Sequence, residues 1–354
     1  MPHLLSLFPE ELAATLIENG TPCTEAEARR VLAALYRTGQ PQAQRPVAGR
    51  VQRAVLAMDY RRPEIMEQVA DPEDHSVRYL LRAEDGAAFE VVRIPLERPG
   101  CYSLCLSSQV GCAMRCAFCQ TGKLGLKRSL KAEEILGSFL VVRDDTLKAA
   151  GEGARVTGAV FMGQGEPFHN YEAVIRAARL LSHPCGAGID GKRISISTVG
   201  LVPQIHRYAQ EGHPFRLIVS LTSAISARRE ELLPVAGRWS MVELAEALRA
   251  WHVASRSRVS LAWVLLGGVN HDAEEVAALR SHFAGIPLRL NLIDVNIPAD
   301  QDAAFRQATT LEREAFFDAL QALSMPIVRR YSVGKSQNSA CGMLALREAN
   351  RTIQ

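Results

Sequence analysis

The chain has 354 residues, 47% of them hydrophobic and 22% charged, with a formal net charge of +3. That reads as an ordinary soluble globular protein of about one to three domains, and so small a charge does not announce a nucleic-acid partner; local patches must make that case. The opening MPHLLSLFPEELAATL lacks a basic segment leading into a long apolar run, and no later stretch reaches about 18 uninterrupted apolar residues, so a cytoplasmic protein with no membrane span is expected.

In chain order, Thr24-Glu25-Ala26-Glu27 is a capping box, followed by a helical pattern from Ala28 to Tyr36 and a stop at Gly39. A Pro- and Gln-containing connector, Gln40 to Pro46, precedes further helix. Val77 to Ala83 and Ala87 to Pro95 flank Asp85-Gly86, the signal of a β-hairpin. From about residue 101, short apolar runs alternate with helical segments, which marks repeated βα units.

Six strands are predicted, at Ser103–Ser107, Val156–Met162, Ile194–Thr198, Leu217–Thr222, Val259–Leu266 and Arg289–Ile293. Helices such as Glu133–Val142, Tyr171–Leu181, Met241–Ala250, Ala273–Phe283 and Leu311–Ala322 fall between and after them. Eight units close a full barrel; six predict an open α/β fold, a partial (β/α)6 barrel with its active site at the C-terminal strand ends. The expected division is a small helical domain over 1–75, a hairpin region over 76–100, the barrel over 101–346 and a tail over 347–354.

Five of the eight cysteines crowd into positions 101 to 119, and only Cys23, Cys185 and Cys341 lie elsewhere. In a cytosolic chain such clustering points to metal or redox chemistry. Gly111-Cys112-Ala113-Met114-Arg115-Cys116-Ala117-Phe118-Cys119 places three thiols on one loop after the first predicted strand. Four cysteines usually ligate a [4Fe–4S] cluster, so three leave one iron open to an exogenous ligand. The alternatives are a three-thiol zinc site or plain buried cysteines; zinc usually takes paired CxxC motifs or histidines at regular spacing, and neither is present.

CxxxCxxC ahead of a (β/α)6 pattern resembles the radical S-adenosylmethionine superfamily, and Ser107 through Leu130 resembles its RlmN/Cfr family of RNA methyltransferases. Correspondences run over roughly residues 87–346 and are weak before them. The resemblance implies that Cys112, Cys116 and Cys119 hold a [4Fe–4S] cluster whose open iron binds S-adenosylmethionine. One electron would then cleave the sulfonium to a 5′-deoxyadenosyl radical. A reducing protein such as flavodoxin or ferredoxin is the implied donor, and rRNA or tRNA the implied substrate.

Phe161-Met162-Gly163-Gln164-Gly165-Glu166-Pro167 follows the second strand; its glycines would let backbone approach a ligand, and Glu166 supplies an acceptor. It resembles the family's Gly-Glu-Pro element, which assigns Gly165 and Glu166 to the cofactor. The same matching assigns Ser197, then Ser220, Leu221 and Thr222, and finally Asn296. From the residues alone, Ser197 and Thr222 could equally cap the helices that follow. Thr222 stands where the family usually shows His, and Gln164 where it usually shows Met.

Alone, Cys105 and Cys341 would read as small buried hydrophobes. The resemblance implies that Cys341, in Ala340-Cys341-Gly342, accepts a methyl group, that a thiomethylene radical formed there adds to an sp² adenine carbon, and that Cys105 releases the product through a transient disulfide with Cys341. Strand alternation puts Glu90 on one face with Val92 and Ile94, where an apolar setting would raise its pKa, and it occupies the family's proton-acceptor position. The competing reading is a solvated edge-strand residue.

Lys123, Lys127, Arg128 and Lys131 after the cysteine loop, and Arg329, Arg330 and Lys335 before Cys341, are the candidate phosphate contacts, against the alternative of a solvated face. The segment from Arg329 to Cys341 lacks the acidic Asp-Ile pair common in the family, which leaves the target least constrained; adenine C2 is expected ahead of C8. A radical enzyme acting on another substrate and a non-catalytic cluster-bearing RNA-binding protein stand as alternatives. Oligomeric state is open, with a monomer the starting expectation.

Overall fold

The structure is a computed structural model that describes residues 2–43, 46–151, 153–297, 304–330, 334 and 340–344. Lys335 and the expected tail at 347–354 lie outside the described residues. Three helices open the chain: α1 (Pro9–Glu18), α2 (Glu25–Thr38) and α3 (Gly49–Leu56). The expected capping box starts α2, with the Thr24 amide donating to Glu27 and the Glu27 amide donating back to the Thr24 hydroxyl. Gly39 ends it in the left-handed conformation, φ 77°, where a Cβ would be strained.

Strands β1 (Glu64–Ala70), β2 (Val77–Arg82), β3 (Ala88–Pro95) and β4 (Cys101–Cys105) form an antiparallel run. The hairpin turns at Asp85-Gly86 as expected, but β1 is an addition that the helical reading of 1–75 did not contain. Its residues are mostly exposed, so it is an edge strand without the apolar alternation that marks a half-buried one.

A short hairpin, β5 (Gln109–Gly111) and β6 (Leu126–Ser129), brackets the cysteine loop and the single-turn α4 (Gln120–Lys123). Then come α5 (Ala132–Ala150), β7 (Arg155–Phe161), α6 (Tyr171–Ser182), β8 (Ile194–Thr198), α7 (Val202–Glu211), β9 (Arg216–Ser220), α8 (Ser226–Leu232), α9 (Met241–Ser255), β10 (Val259–Leu265), α10 (Ala273–His282), β11 (Leu288–Asp294), α11 (Thr310–Gln321) and β12 (Ile327–Arg330).

The main sheet runs β1-β2-β3-β4-β7-β8-β9-β10-β11-β12, parallel from β4 onward. All six expected barrel strands are present within a few residues, and β12 adds a seventh parallel strand among the described residues. Its Ile-Val-Arg-Arg sequence is short and half polar, which hid it. Strand β8 is buried at every position, as a central strand of a parallel sheet is expected to be, and this is why the central strands read clearly.

Side chains of α1 to α3, including Leu12, Leu32 and Val51, share one continuous apolar core with β7 to β11. The Arg176 guanidinium on α6 grips the Glu11 carboxylate at 2.8 Å through both nitrogens, fixing α1 against the barrel. No helix of the described residues is long and apolar enough to cross a membrane.

Candidate active site

The cysteine loop is held by backbone. Gly111 (φ +75) lies so near the Gly125 carbonyl that a Cβ would meet it at 1.9 Å, and the Cys112 amide donates to that carbonyl at 2.9 Å. Between the second and third thiols, the Ala117 amide donates to Leu232 at the end of α8, and the Cys119 amide to Cys116. Cys112 is buried, and burial pushes its thiol up to about 12; Cys116 is raised well above its ordinary value for the same reason.

Cys112, Cys116 and Cys119 line one cavity with Gly165, Glu166, Ser197, Ser220, Asn296 and Cys341, at the C-terminal strand ends. Among the described residues no three His, Cys, Asp or Glu side chains converge on a single metal ion. Three cysteines on one loop at the wall of one cavity match the donor set of a cluster that keeps one iron open to an exogenous ligand. The donor set therefore fits an iron–sulfur cluster.

Gly165 sits at φ +99, and a Cβ there would lie 2.5 Å from the Gln109 Cβ and 2.7 Å from the Ser108 hydroxyl. At Gly163 the Leu106 backbone and the Ser107 hydroxyl fill the same role, at 2.9 and 2.7 Å. The space these glycines leave is thus taken by the chain's own loop, a structural use that the expectation of ligand approach did not include.

Glu166 straps two strand ends together. One carboxylate oxygen accepts from the Phe168 amide at 3.0 Å, the other from the Val199 amide at 2.9 Å. Burial still raises its pKa, to about 7, against the lowering effect of those donors. The Thr198 side chain also hydrogen-bonds the carboxylate, which leaves one of its four lone-pair sites to accept from an amine in the cavity.

Ser197 and Ser220 lie at the ends of β8 and β9 on the cavity wall, and Asn296 follows β11. Leu221 and Thr222 do not line the cavity: Leu221 is wholly buried in the core, and both amides donate to the Ala262 carbonyl. Thr222 has φ +60, its carbonyl accepts from Asn270, and its hydroxyl finds no partner among the described residues.

Cys341 comes to the cysteine loop through its neighbours. The Gln120 amide donates to the Gly342 carbonyl at 2.8 Å, the Thr121 hydroxyl to Leu344 at 3.2 Å, and the Asn296 amide group to the Cys341 carbonyl at 3.0 Å. Cys341 is exposed and on the cavity wall, whereas Cys105 is buried beside Val92 and Leu344. Burial raises the Cys105 thiol and the nearby Cys341 adds to it, so the two sulfurs sit within electrostatic reach.

Glu90 is 2% exposed, which removes the solvated-edge reading. Its surroundings are not simply apolar, however: Arg78 Nη1 donates to Glu90 Oε1 at 2.6 Å, and the Gln164 amide group donates to Oε2 at 3.3 Å. Ser107 completes the frame, donating to the Glu90 carbonyl at 2.6 Å. Hairpin register puts Arg78 opposite Val92 and diagonal to Glu90, so the turn at Asp85-Gly86 already encoded this pair.

The basic runs are partly committed elsewhere. Arg128 donates to both Asp85 and Glu134, and Arg329 grips Glu314 while its guanidinium stacks 3.9 Å over Phe317. Lys123, Lys127 and Lys131 remain exposed on the β5–β6 side of the cavity. Met114, Phe118, Thr198 and Val199 also line the cavity; their apolar or capping chemistry carries no distinct signal in sequence.

A model of the radical SAM superfamily matches residues 106–279. A probable RNA methyltransferase of Anaeromyxobacter sp. (strain Fw109-5) is 47% identical over 91% of this chain and 93% of its own length. The dual-specificity RNA methyltransferase RlmN of Sorangium cellulosum is 33% identical over 99% of this chain and 97% of its own. The crystal structure of a radical SAM methyltransferase from Sphaerobacter thermophilus superposes with a TM-score of 0.87 at 31% identity, covering 98% of this chain and 99% of that one. With its three-cysteine loop on the cavity floor and full-length likeness to these proteins, the chain belongs to the RlmN-like family of radical SAM RNA methyltransferases.

Proposed function

We propose that the protein methylates an sp² carbon of adenine in rRNA or tRNA, C2 in preference to C8, using Cys341 as methyl carrier. Cys112, Cys116 and Cys119 would hold a [4Fe–4S] cluster, and Glu166, Ser197, Ser220 and Asn296, with the backbone at Gly165, would hold S-adenosylmethionine. When bound, these groups supply one-electron radical chemistry; flavodoxin or ferredoxin is the electron donor proposed. The protein's own part is to present the methylated sulfur of Cys341 in the cavity, to take up a proton at Glu90, and to release product as the Cys105 thiol forms a disulfide with Cys341.

The observation that carries this reading is the convergence of Cys341 with the cysteine loop, in one cavity and with Cys105 close behind. A cluster protein without turnover, or a radical enzyme of another class, has no use for that second pair of thiols. The preference for C2 rests on likeness to relatives named RlmN. Mass spectrometry of rRNA and tRNA from a deletion strain is the test: loss of one methyladenosine, restored by the wild-type gene and not by Cys341→Ala, supports it. Identical RNA in both strains, or methylation by the Cys341→Ala protein with its cluster assembled, overturns it.

A further inference from the structure

Arg229, on α8, is 4% exposed. Its Nη2 donates to the Val199 carbonyl at 2.7 Å and the Ser220 carbonyl at 3.4 Å, and both residues line the cavity. Its Nε finds no hydrogen-bond partner among the described residues. The neighbouring Arg228 takes the carboxylates of Asp272 and Glu275, and among the described residues no carboxylate pairs with Arg229. A buried guanidinium without a counter-anion is costly unless something else supplies the negative charge.

The turn carrying Arg229 is fastened to the cysteine loop. The Leu233 amide donates to the Arg229 carbonyl at 2.8 Å, and the adjacent Leu232 carbonyl accepts from Ala117, the residue after Cys116. Cys116 packs against Leu232 and Leu233, and Leu233 lines the cavity. Cys116 is also the group with which Arg229 interacts electrostatically. Desolvation lowers the guanidinium to about 10, which still leaves it cationic at neutral pH.

We propose that Arg229 is the built-in counter-cation of the iron–sulfur site, a positioning residue that ties the ends of β8 and β9 together and makes the cluster easier to reduce. The inference rests on the cluster reading of Cys112, Cys116 and Cys119. Three thiolates outweigh the charge of an oxidised four-iron core, and an added electron increases the excess. A fixed cation therefore stabilises the reduced form more than the oxidised one, one of the levers by which protein charge sets such potentials.

The test is a redox titration of reconstituted wild-type, Arg229→Lys, Arg229→Gln and Arg229→Met proteins, followed by electron paramagnetic resonance of the reduced cluster, with iron counted per chain. Loss of the charge should lower the equilibrium constant for reduction at least tenfold in the Gln and Met variants, a shift of about 59 mV to more negative potential. The Lys variant should stay within about threefold of wild type. If Gln and Met lose the cluster while Lys keeps it at the wild-type potential, the requirement for charge stands. Gln and Met variants with full iron and an unmoved potential, or a Lys variant as poor as Met, overturn the proposal. A wild-type chain that assembles no cluster would instead overturn the cluster reading.

Discussion

Replacing Glu90 by Gln tests two things that must be separated. Glu90 and Arg78 form a 2.6 Å ion pair with both side chains 2–3% exposed, so Gln at 90 leaves the buried guanidinium with only the longer 3.9 Å pairing to Glu67. Breaking such a pair from one side costs about 3–5 kcal/mol, whereas replacing both partners by well-packed neutral groups is close to neutral. We expect Glu90→Gln to lose about that much stability by urea or thermal unfolding, and Glu90→Gln with Arg78→Met to recover most of it, leaving a coupling of about 2 kcal/mol or more. The recovered double variant is then the proper protein for a methylation assay. Should Glu90 be the proton acceptor, the double variant folds, binds RNA and still fails to release methylated product. Strictly additive losses would refute the ion-pair argument, and wild-type turnover by the double variant would refute the catalytic one.

Cys105→Ala should leave RNA covalently attached to Cys341, because no thiol remains to displace it; a denaturing gel that shows normal turnover and no shifted band would exclude that role. Gly165→Ala, whose Cβ would lie 2.5 Å from Gln109, should lose about 2–4 kcal/mol, and Gly188→Ala, at φ +66 with open space, only about 1 kcal/mol. Calorimetry giving equal losses would mean that strain, not crowding, requires glycine at 165. Glu166 has its pKa raised from 4.5 to about 7, so its contribution to stability is fully present below pH 4.5 and lost as pH rises through about 7. In metal-free protein, the stability of wild type relative to Glu166→Gln should therefore fall between pH 5 and 8; a flat difference in urea midpoints would contradict the raised value.

The barrel was readable in sequence because its central strands are buried on both faces and its helices carry period-3.6 stripes. Ile194–Thr198 was predicted with the bounds it has. Where burial is one-sided or absent, as in β1 and β12, pattern fades and the strands were missed. Most of the site was read as an unordered set of residues at strand ends. The missing information was relational: that Arg78 answers Glu90, that Arg128 and Arg329 are spent on carboxylates, and that Leu221 and Thr222 sit behind the wall. Such pairings depend on register and long-range closure, which composition and spacing do not carry. Gln164 was visible as a departure, but its use as a clamp on Glu90 appears only when β3 and the loop after β7 are brought together.

The stitching of the Cys341 loop to the cysteine loop also sets an order of assembly. The Thr121 to Leu344 bond spans 223 residues of chain, so a ribosome making about 5–20 residues per second finishes the cysteine loop roughly 10–45 s before it makes the segment that docks on it. During that interval Cys112, Cys116 and Cys119, the proposed cluster ligands, are already synthesised and the segment that docks on their loop is not. On the proposed cluster reading, iron and sulfide can reach the loop during that interval, before the Cys341 segment is stitched to it.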